Sequence, residues 1–237
     1  MTRSGSWHRI QTLWNELQQL DLSSPSSLYG SLQLQWLLWK VRHYTMVQRP
    51  RLRSLYHLAR ELDRIPVSGD IVECGVYNGG SAGVLAFASR HSQPPRGLWL
   101  FDSFEGLPEA SAIDGIKAQE RRGTCAGDPQ KVRQLMHKLG IAQTRLHIIK
   151  GWFQDTFSTI QIERIGLLHI DADWYESVRL CLQRFYDFVQ PGGFIVLDDY
   201  GHWPGCRAAV DEFVAQRSLD VRLIEVDYTG RYFQKPC

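Results

Sequence analysis

The chain has 237 residues, 43% hydrophobic and 22% charged, which suits one well-buried core better than two domains. This composition excludes a disordered or fibrous protein, and a net charge of +2 without a dense Lys/Arg run gives no case for nucleic acid. The cysteines Cys74, Cys125, Cys181, Cys206 and Cys237 are odd in number and form no C-x-x-C pair, which fits free thiols in a reducing compartment better than disulfides or a zinc site.

The N-terminus lacks the continuous apolar stretch of a signal peptide. Leu32–Trp39 is broken by Gln33 and Gln35 and is too short to span a bilayer. A cytoplasmic protein with no membrane segment is expected. Trp7, Ile10, Leu13, Trp14, Leu17 and Leu20 stand at helical spacing and predict an amphipathic helix over 7–20. A Ser/Pro break at 23–27 separates it from a second apolar segment, Leu32 to Val41. Residues 1–43 therefore read as an N-terminal helical extension of a domain spanning 44–237. Their tryptophans, Trp7, Trp14, Trp36 and Trp39, exceed what one helical layer needs, so a homo-oligomer is expected.

Arg51 to Arg64 reads as a helix, and a regular alternation follows. Short apolar runs at Asp70–Val76, Leu98–Asp102, Arg145–Lys150, Gly166–Asp171 and Gly193–Asp198 alternate with helical stretches at 80–91, 129–140, 174–189 and 204–217. Strand–helix alternation implies βαβ units, hence an α/β fold with a mostly parallel, Rossmann-like sheet. Val221–Val226 and Arg231–Gln234 flank Asp227-Tyr228-Thr229-Gly230 and predict a closing antiparallel hairpin.

Ligands of such sheets bind beyond the carboxyl ends of the strands. The first strand runs into Glu73-Cys74-Gly75-Val76-Tyr77-Asn78-Gly79-Gly80-Ser81. Its glycines allow a tight turn and close backbone approach, and Ser81 can cap the next helix. The spacing is not the dinucleotide G-x-G-x-x-G, and Glu73 suits a ligand with an ammonium or sulfonium rather than a pyrophosphate. A turn with a purely structural role would read the same way. Asp102 ends the second strand and can accept ribose hydroxyls or cap the following turn. Lys150-Gly151-Trp152-Phe153 ends the third strand, where the aromatics offer a wall for an adenine ring or ordinary core.

Strand four ends in His169-Ile170-Asp171-Ala172-Asp173 and strand five in Leu197-Asp198-Asp199-Tyr200. If the two strands pair, Asp171, Asp198 and Asp199 converge, and their mutual repulsion calls for a hard divalent cation, Mg²⁺ before Mn²⁺ or Ca²⁺. Solvated loop acids are the alternative. His169 lies inside the strand and reads as a core residue. His202, just past Asp199, lies toward the active face.

These segments closely resemble the macrocin O-methyltransferase family. The resemblance rests on Tyr44-Thr45-Met46, Glu73-Cys74-Gly75-Val76, Gly79-Gly80-Ser81, Phe101-Asp102-Ser103-Phe104-Glu105-Gly106-Leu107-Pro108, Lys150-Gly151-Trp152-Phe153, Ile170-Asp171-Ala172-Asp173-Trp174-Tyr175-Glu176-Ser177 and the run from Pro191 to Gly201. It extends from about residue 40 to the C-terminus; the 109–129 segment, where such enzymes carry a substrate-covering lid, departs from the pattern.

The resemblance implies a class I methyltransferase fold, S-adenosylmethionine as cofactor and Mg²⁺ as metal. By position, Glu73 and the Gly75–Ser81 turn with Tyr77 would hold the methionine part, covered by Thr45 and Met46. Asp102 and Ser103 would bind ribose, and Gly151, Trp152 and Phe153 would flank adenine. Asp171, which also borders the cofactor, would bind the metal with Asp198 and Asp199. The expected reaction is methyl transfer to a hydroxyl of a small glycosylated molecule, with Asp171 as first candidate for the base and His202 second. A catechol-like acceptor and a non-catalytic cofactor-binding module are the alternatives. An NAD-dependent oxidoreductase fits the first turn poorly. A nucleic-acid methyltransferase lacks both a basic face and an Asn-Pro-Pro-Tyr-like loop.

Overall fold

A computed structural model describes residues 25–236, with side chains from residue 29. The helix expected over 7–20, with Trp7 and Trp14, lies outside the described residues. Helix α1 (Pro25–Val41) and helix α2 (Arg49–Glu61) precede the sheet. Then follow β1 (Asp70–Cys74), α3 (Gly80–Ala88), β2 (Leu98–Asp102), the one-turn α4 (Ile116–Gln119), α5 (Pro129–Lys138), β3 (Leu146–Lys150), the one-turn α6 (Phe153–Thr156), β4 (Ile165–Ile170), α7 (Tyr175–Phe185), β5 (Val189–Leu197), α8 (Pro204–Gln216), β6 (Ile224–Glu225) and β7 (Arg231–Gln234).

The seven strands form one sheet in the order β3-β2-β1-β4-β5-β7-β6. The first five are mutually parallel, and β7 runs antiparallel to both β5 and β6. The expected mostly parallel sheet with a closing hairpin is what the chain forms. The hairpin's first strand is only Ile224–Glu225, shorter than its apolar run suggested. The order reverses between β1 and β4, the crevice where open α/β sheets take ligands.

Strand alternation divides the core. Ile71, Leu98, Leu100, Leu167 and Val196 pack on one face against α1, α2, α3 and α5. Val72, Cys74, Phe101, Leu168, Ile195 and Leu197 pack on the other against α7 and α8. All nine residues of α3 are buried, so a helix apolar on every side is the physical requirement there. Gly80 and Gly83 let it fit: an added Cβ at Gly80 would lie 2.4 Å from Thr45 Cβ, and one at Gly83 would lie 3.0 Å from Leu139. Helix α1 contributes Leu34, Leu37, Leu38 and Val41 to the same core cluster as the sheet. Its opposite face leaves Tyr29, Leu32, Trp36 and Trp39 exposed.

At the sheet edge opposite the carboxyl ends, Arg96 gathers the loops. Its guanidinium donates to Gly69 O at 2.7 Å and to Leu62 O and Val67 O, both at 2.9 Å, and it pairs with Asp63 at 3.3 Å. Arg96→Ala strips these carbonyls of a donor in a buried setting and is expected to cost about 3 kcal/mol. Urea unfolding measures that loss, and S-adenosylhomocysteine affinity by calorimetry should stay unchanged because Arg96 is at the far edge.

Candidate active site

The carboxyl ends of β1, β2, β4 and β5 open into a cavity of about 750 Å³. Backbone geometry sets its floor. Gly75 leaves β1 at φ +88° and donates to Phe101 O at 2.9 Å, while Asp171 N donates to Cys74 O at 2.8 Å. An added Cβ at Gly75 would lie 1.8 Å from Asp171 O, so only glycine lets β1 and β4 end this close together.

Asp102 fixes the turn above this floor. Its Oδ2 accepts from Val76 N at 2.7 Å and Tyr77 N at 2.8 Å, and its Oδ1 accepts from Phe104 N at 2.6 Å. It is therefore a turn cap on both sides while also facing the cavity. A carboxylate offers about four lone-pair sites, so these three donors leave little room for further acceptance unless the turn shifts.

Of the other expected cofactor contacts, Thr45, Met46, Gly75, Tyr77, Ser81 and Ser103 line the cavity, as do Trp152, Phe153 and Asp171. Phe153 stacks on Phe157 with centroids 4.9 Å apart. Two expected contacts are not on the wall. Gly151 stands behind it at φ +144°, donating to Asp102 O at 3.0 Å. Glu73 lies one residue before the end of β1, beside His169 of β4 in the register. It is fully buried with Oε1 2.9 Å from His169 Nδ1 and Oε2 without a partner.

The acids at the ends of β4 and β5 do gather, with one difference from the expected trio. Carboxylate oxygens of Asp171, Asp173 and Asp199 all lie within 4.8 Å of one another. Asp198 lines the same cavity, but its Oδ2 is ion-paired with Arg51 Nη1 and its Oδ1 lies 3.7 Å from His169 Nε2. The trio within this distance therefore contains Asp173 in place of Asp198, whose Oδ2 pairs with Arg51. Asp199 Oδ2 is buried without a partner. Burial, then the charges of Asp198, Asp199 and Asp173, pushes the Asp171 carboxyl well above its usual range. Burial and the charges of Asp173 and Asp198 do the same to Asp199. Asp173 is pushed up to about 6, chiefly by burial, against the hydrogen bond it accepts from Trp203 Nε1 at 2.8 Å.

His202 is exposed, off the cavity wall, with its ring against Trp203 at 4.5 Å. His169, read as core, is buried between two carboxylates. Burial disfavours its charged form, but Asp198 and Glu73 outweigh that and push its pKa up to about 9.

Arg51, Asp173 and Asp114 are site residues that the sequence reading passed over. Asp114 lies in the 109–129 segment and pins it over the cavity. Its Oδ2 accepts from Ser111 N and Oγ at 2.8 and 2.7 Å, and its Oδ1 accepts from Tyr175 N at 2.7 Å. Ser111-x-x-Asp114 is a capping-box spacing and was the available signal. Asp173 stood in a quoted motif; Arg51 left no local signal.

The family model described as macrocin-O-methyltransferase matches residues 12–235, so the likeness begins well before the motifs at Tyr44. Demethyldecarbamoylnovobiocin O-methyltransferase of Streptomyces niveus is 32% identical over 203 residues, covering 83% of this chain and 78% of that protein. The 8-demethyl-8-(2,3-dimethoxy-alpha-L-rhamnosyl)-tetracenomycin-C 4'-O-methyltransferase of Streptomyces olivaceus is 31% identical over 202 residues, covering 83% and 77%. Among solved structures, the O-methyltransferase NovP superposes with a TM-score of 0.76 at 30% identity, covering 82% of this chain and 83% of NovP. The calicheamicin methyltransferase CalS11 shares the fold, with a TM-score of 0.67 at 21% identity, covering 92% and 96%. No helix among the described residues is long and apolar enough to cross a membrane.

The buried His169 makes stability pH-dependent. Its folded pKa, about 9, lies above the unfolded value of 6.5. Its contribution is therefore fully present below pH 6.5 and lost as pH rises through 9; the shift corresponds to about 3 kcal/mol. Urea denaturation across that window should show wild-type stability falling and His169→Gln staying flatter. Parallel curves would remove His169 from the account.

Proposed function

The chain belongs to the macrocin-O-methyltransferase family and is an S-adenosylmethionine-dependent O-methyltransferase, and from that premise we propose that it methylates a hydroxyl of a glycosylated natural product with the help of Mg²⁺. The acceptor reading is supported by the Streptomyces olivaceus relative, whose name carries a rhamnosyl group on its substrate. One observation carries the metal reading: the carboxylates of half-buried Asp171 and Asp173 and of buried Asp199 crowd within 4.8 Å beside the cavity, and Asp199 Oδ2 has no partner. An all-oxygen donor set without His or Cys fits a hard cation.

Asp171, Asp198 and Asp199 would hold the ion. Arg51 holds Oδ2 of Asp198, and its Oδ1 stands 3.7 Å from His169 Nε2. Asp173 then serves as the proton acceptor, displacing Asp171 and His202 from that role. A metal-bound carboxylate is a weak base, whereas Asp173 stands outside the proposed ligand set and its carboxylate is oriented by Trp203 Nε1 at 2.8 Å. When bound, the cofactor supplies an electrophilic methyl group, and the cation would lower the pKa of a bound hydroxyl. The residues do the rest by alignment. Thr45, Met46 and the Gly75 turn border the donor side of the cavity, Trp152 and Phe153 its aromatic wall, and the Asp114-pinned segment its cover. Asp173 takes the acceptor's hydroxyl proton as the oxygen bonds to the methyl carbon and the carbon–sulfur bond breaks.

Assembly belongs to the same reading: the exposed Tyr29, Leu32, Trp36 and Trp39 on α1 are proposed to face a second copy. Light scattering should give a dimer or larger species, with Trp36→Glu/Trp39→Glu shifting it toward monomer. A monomeric wild type at high concentration would exclude this.

The metal reading is tested by stripping the protein with EDTA. Turnover with a glycosylated acceptor should stop, S-adenosylhomocysteine binding should persist, and Mg²⁺ should restore the rate far better than Zn²⁺. Asp198→Asn should weaken Mn²⁺ binding, whereas Asp173→Asn should keep it and lose turnover. Mn²⁺ loss in Asp173→Asn with none in Asp198→Asn would instead make the tighter trio, with Asp173, the ligand set.

A further inference from the structure

Arg51 reaches the site from α2, 147 positions before Asp198 in sequence. Its guanidinium is shared between two acids. Nη1 pairs with Asp198 Oδ2 and donates to Asp198 O at 3.3 Å, while Nε pairs with Asp227 Oδ2 at 3.2 Å. Asp227 is itself fixed in the β6–β7 turn, its Oδ1 accepting from Thr229 N at 2.9 Å and Gly230 N at 2.8 Å. The stem is packed too: a Cβ on Gly230 would lie 2.8 Å from Arg51 Cδ. On the other side of Asp198, His169 Nε2 stands 3.7 Å from Oδ1, and His169 is held by Glu73.

Asp198 is therefore gripped from two directions by groups that are themselves fixed. The Arg51 and Asp198 side chains are 11% and 3% exposed, so this is a desolvated pair, unlike a mobile surface bridge. Only a planar fork can span both acids; an ammonium is a point charge that would satisfy one.

We propose that Arg51 is a positioning residue for methyl transfer, holding Asp198 by Oδ2 so that its carboxylate keeps a fixed direction at the cavity wall as a ready ligand. The inference rests on the reading of Asp198 as a metal ligand. Two opposite effects make it decidable. Removing a positive charge near a cation site favours the cation by Coulomb's law. Losing the group that orients a ligand disfavours it, commonly by about 10- to 100-fold.

The test is a Mn²⁺ titration followed by electron paramagnetic resonance, with S-adenosylhomocysteine affinity by calorimetry as a second readout. Arg51→Gln should weaken Mn²⁺ binding about tenfold or more, with cofactor affinity unchanged within about twofold. Arg51→Lys should recover part of the loss. Adding Arg51→Gln to Asp198→Asn should give little further weakening, since both act through one carboxylate. Unchanged or tighter Mn²⁺ binding in Arg51→Gln, or fully additive losses, would overturn the proposal. Should Arg51→Gln fail to fold, Arg51→Lys decides, and wild-type affinity there counts against it. Asp198→Asn separates the two levels. If it binds Mn²⁺ as wild type does, the ligand reading fails and Arg51's role with it. If it loses affinity while the Arg51 variants do not, Arg51's role alone fails.

Discussion

The ends of two adjacent parallel strands place Asp171, Asp173, Asp198 and Asp199 on one small patch of low exposure, and the surrounding structure is arranged around that cost. Two unit charges at 4.8 Å repel by about 3 kcal/mol at an effective dielectric constant of 20. Each answer in the structure is partial. Arg51 meets Asp198, Trp203 donates to Asp173, and His169 sits between Glu73 and Asp198. Asp171 and Asp199 receive no cationic side chain of their own, and their carboxyls are held well above the usual range.

The same patch explains the glycines and the backbone bonds nearby. Carboxylates converge only if β1, β4 and β5 end at nearly the same height, and the register delivers this: Glu73, His169 and Val196 stand side by side. Gly75 removes the side chain that would strike Asp171 O, and Asp102 holds the following turn by three backbone donors. That turn is stiffened before any ligand arrives. A preformed turn suits a site whose chemistry depends mainly on alignment.

The fold was legible because its signals are local and redundant. Near-continuous apolar runs such as Leu167–Ile170 marked strands covered on both faces, and the Asp227–Gly230 turn marked the hairpin. The residues at the ends of strands were legible too, which is why Asp102, Trp152, Asp171 and Asp199 reach the cavity. What failed was side-chain direction and long-range pairing. Glu73 lies one step inside its strand and meets His169, which sits in the core as its position implied. Asp198 was expected among the closest acids, but its direction is set by a helix residue far away in sequence, which no local pattern encodes.

The remaining question is why a fold would keep so many acids at one buried edge. Stability gives no reason, since buried charges are commonly replaced by apolar residues at no loss. A structural acid is satisfied by its neighbours, as Asp114 is by Ser111 and Tyr175, and Asp227 by its own turn. Asp199 is not: one of its oxygens is buried without any partner. Nor do the nearby cations resolve the excess, because Arg51 is ion-paired with Asp198 and Asp227 and acts on Asp199 only from a distance. The two kinds of acid in this chain thus differ in a physical way. Asp227 completes a turn with its hydrogen bonds, whereas Asp199 keeps an unmet oxygen beside the cavity. An acid left unmet in this way carries a cost in the folded protein, which fits a functional site better than a structural one.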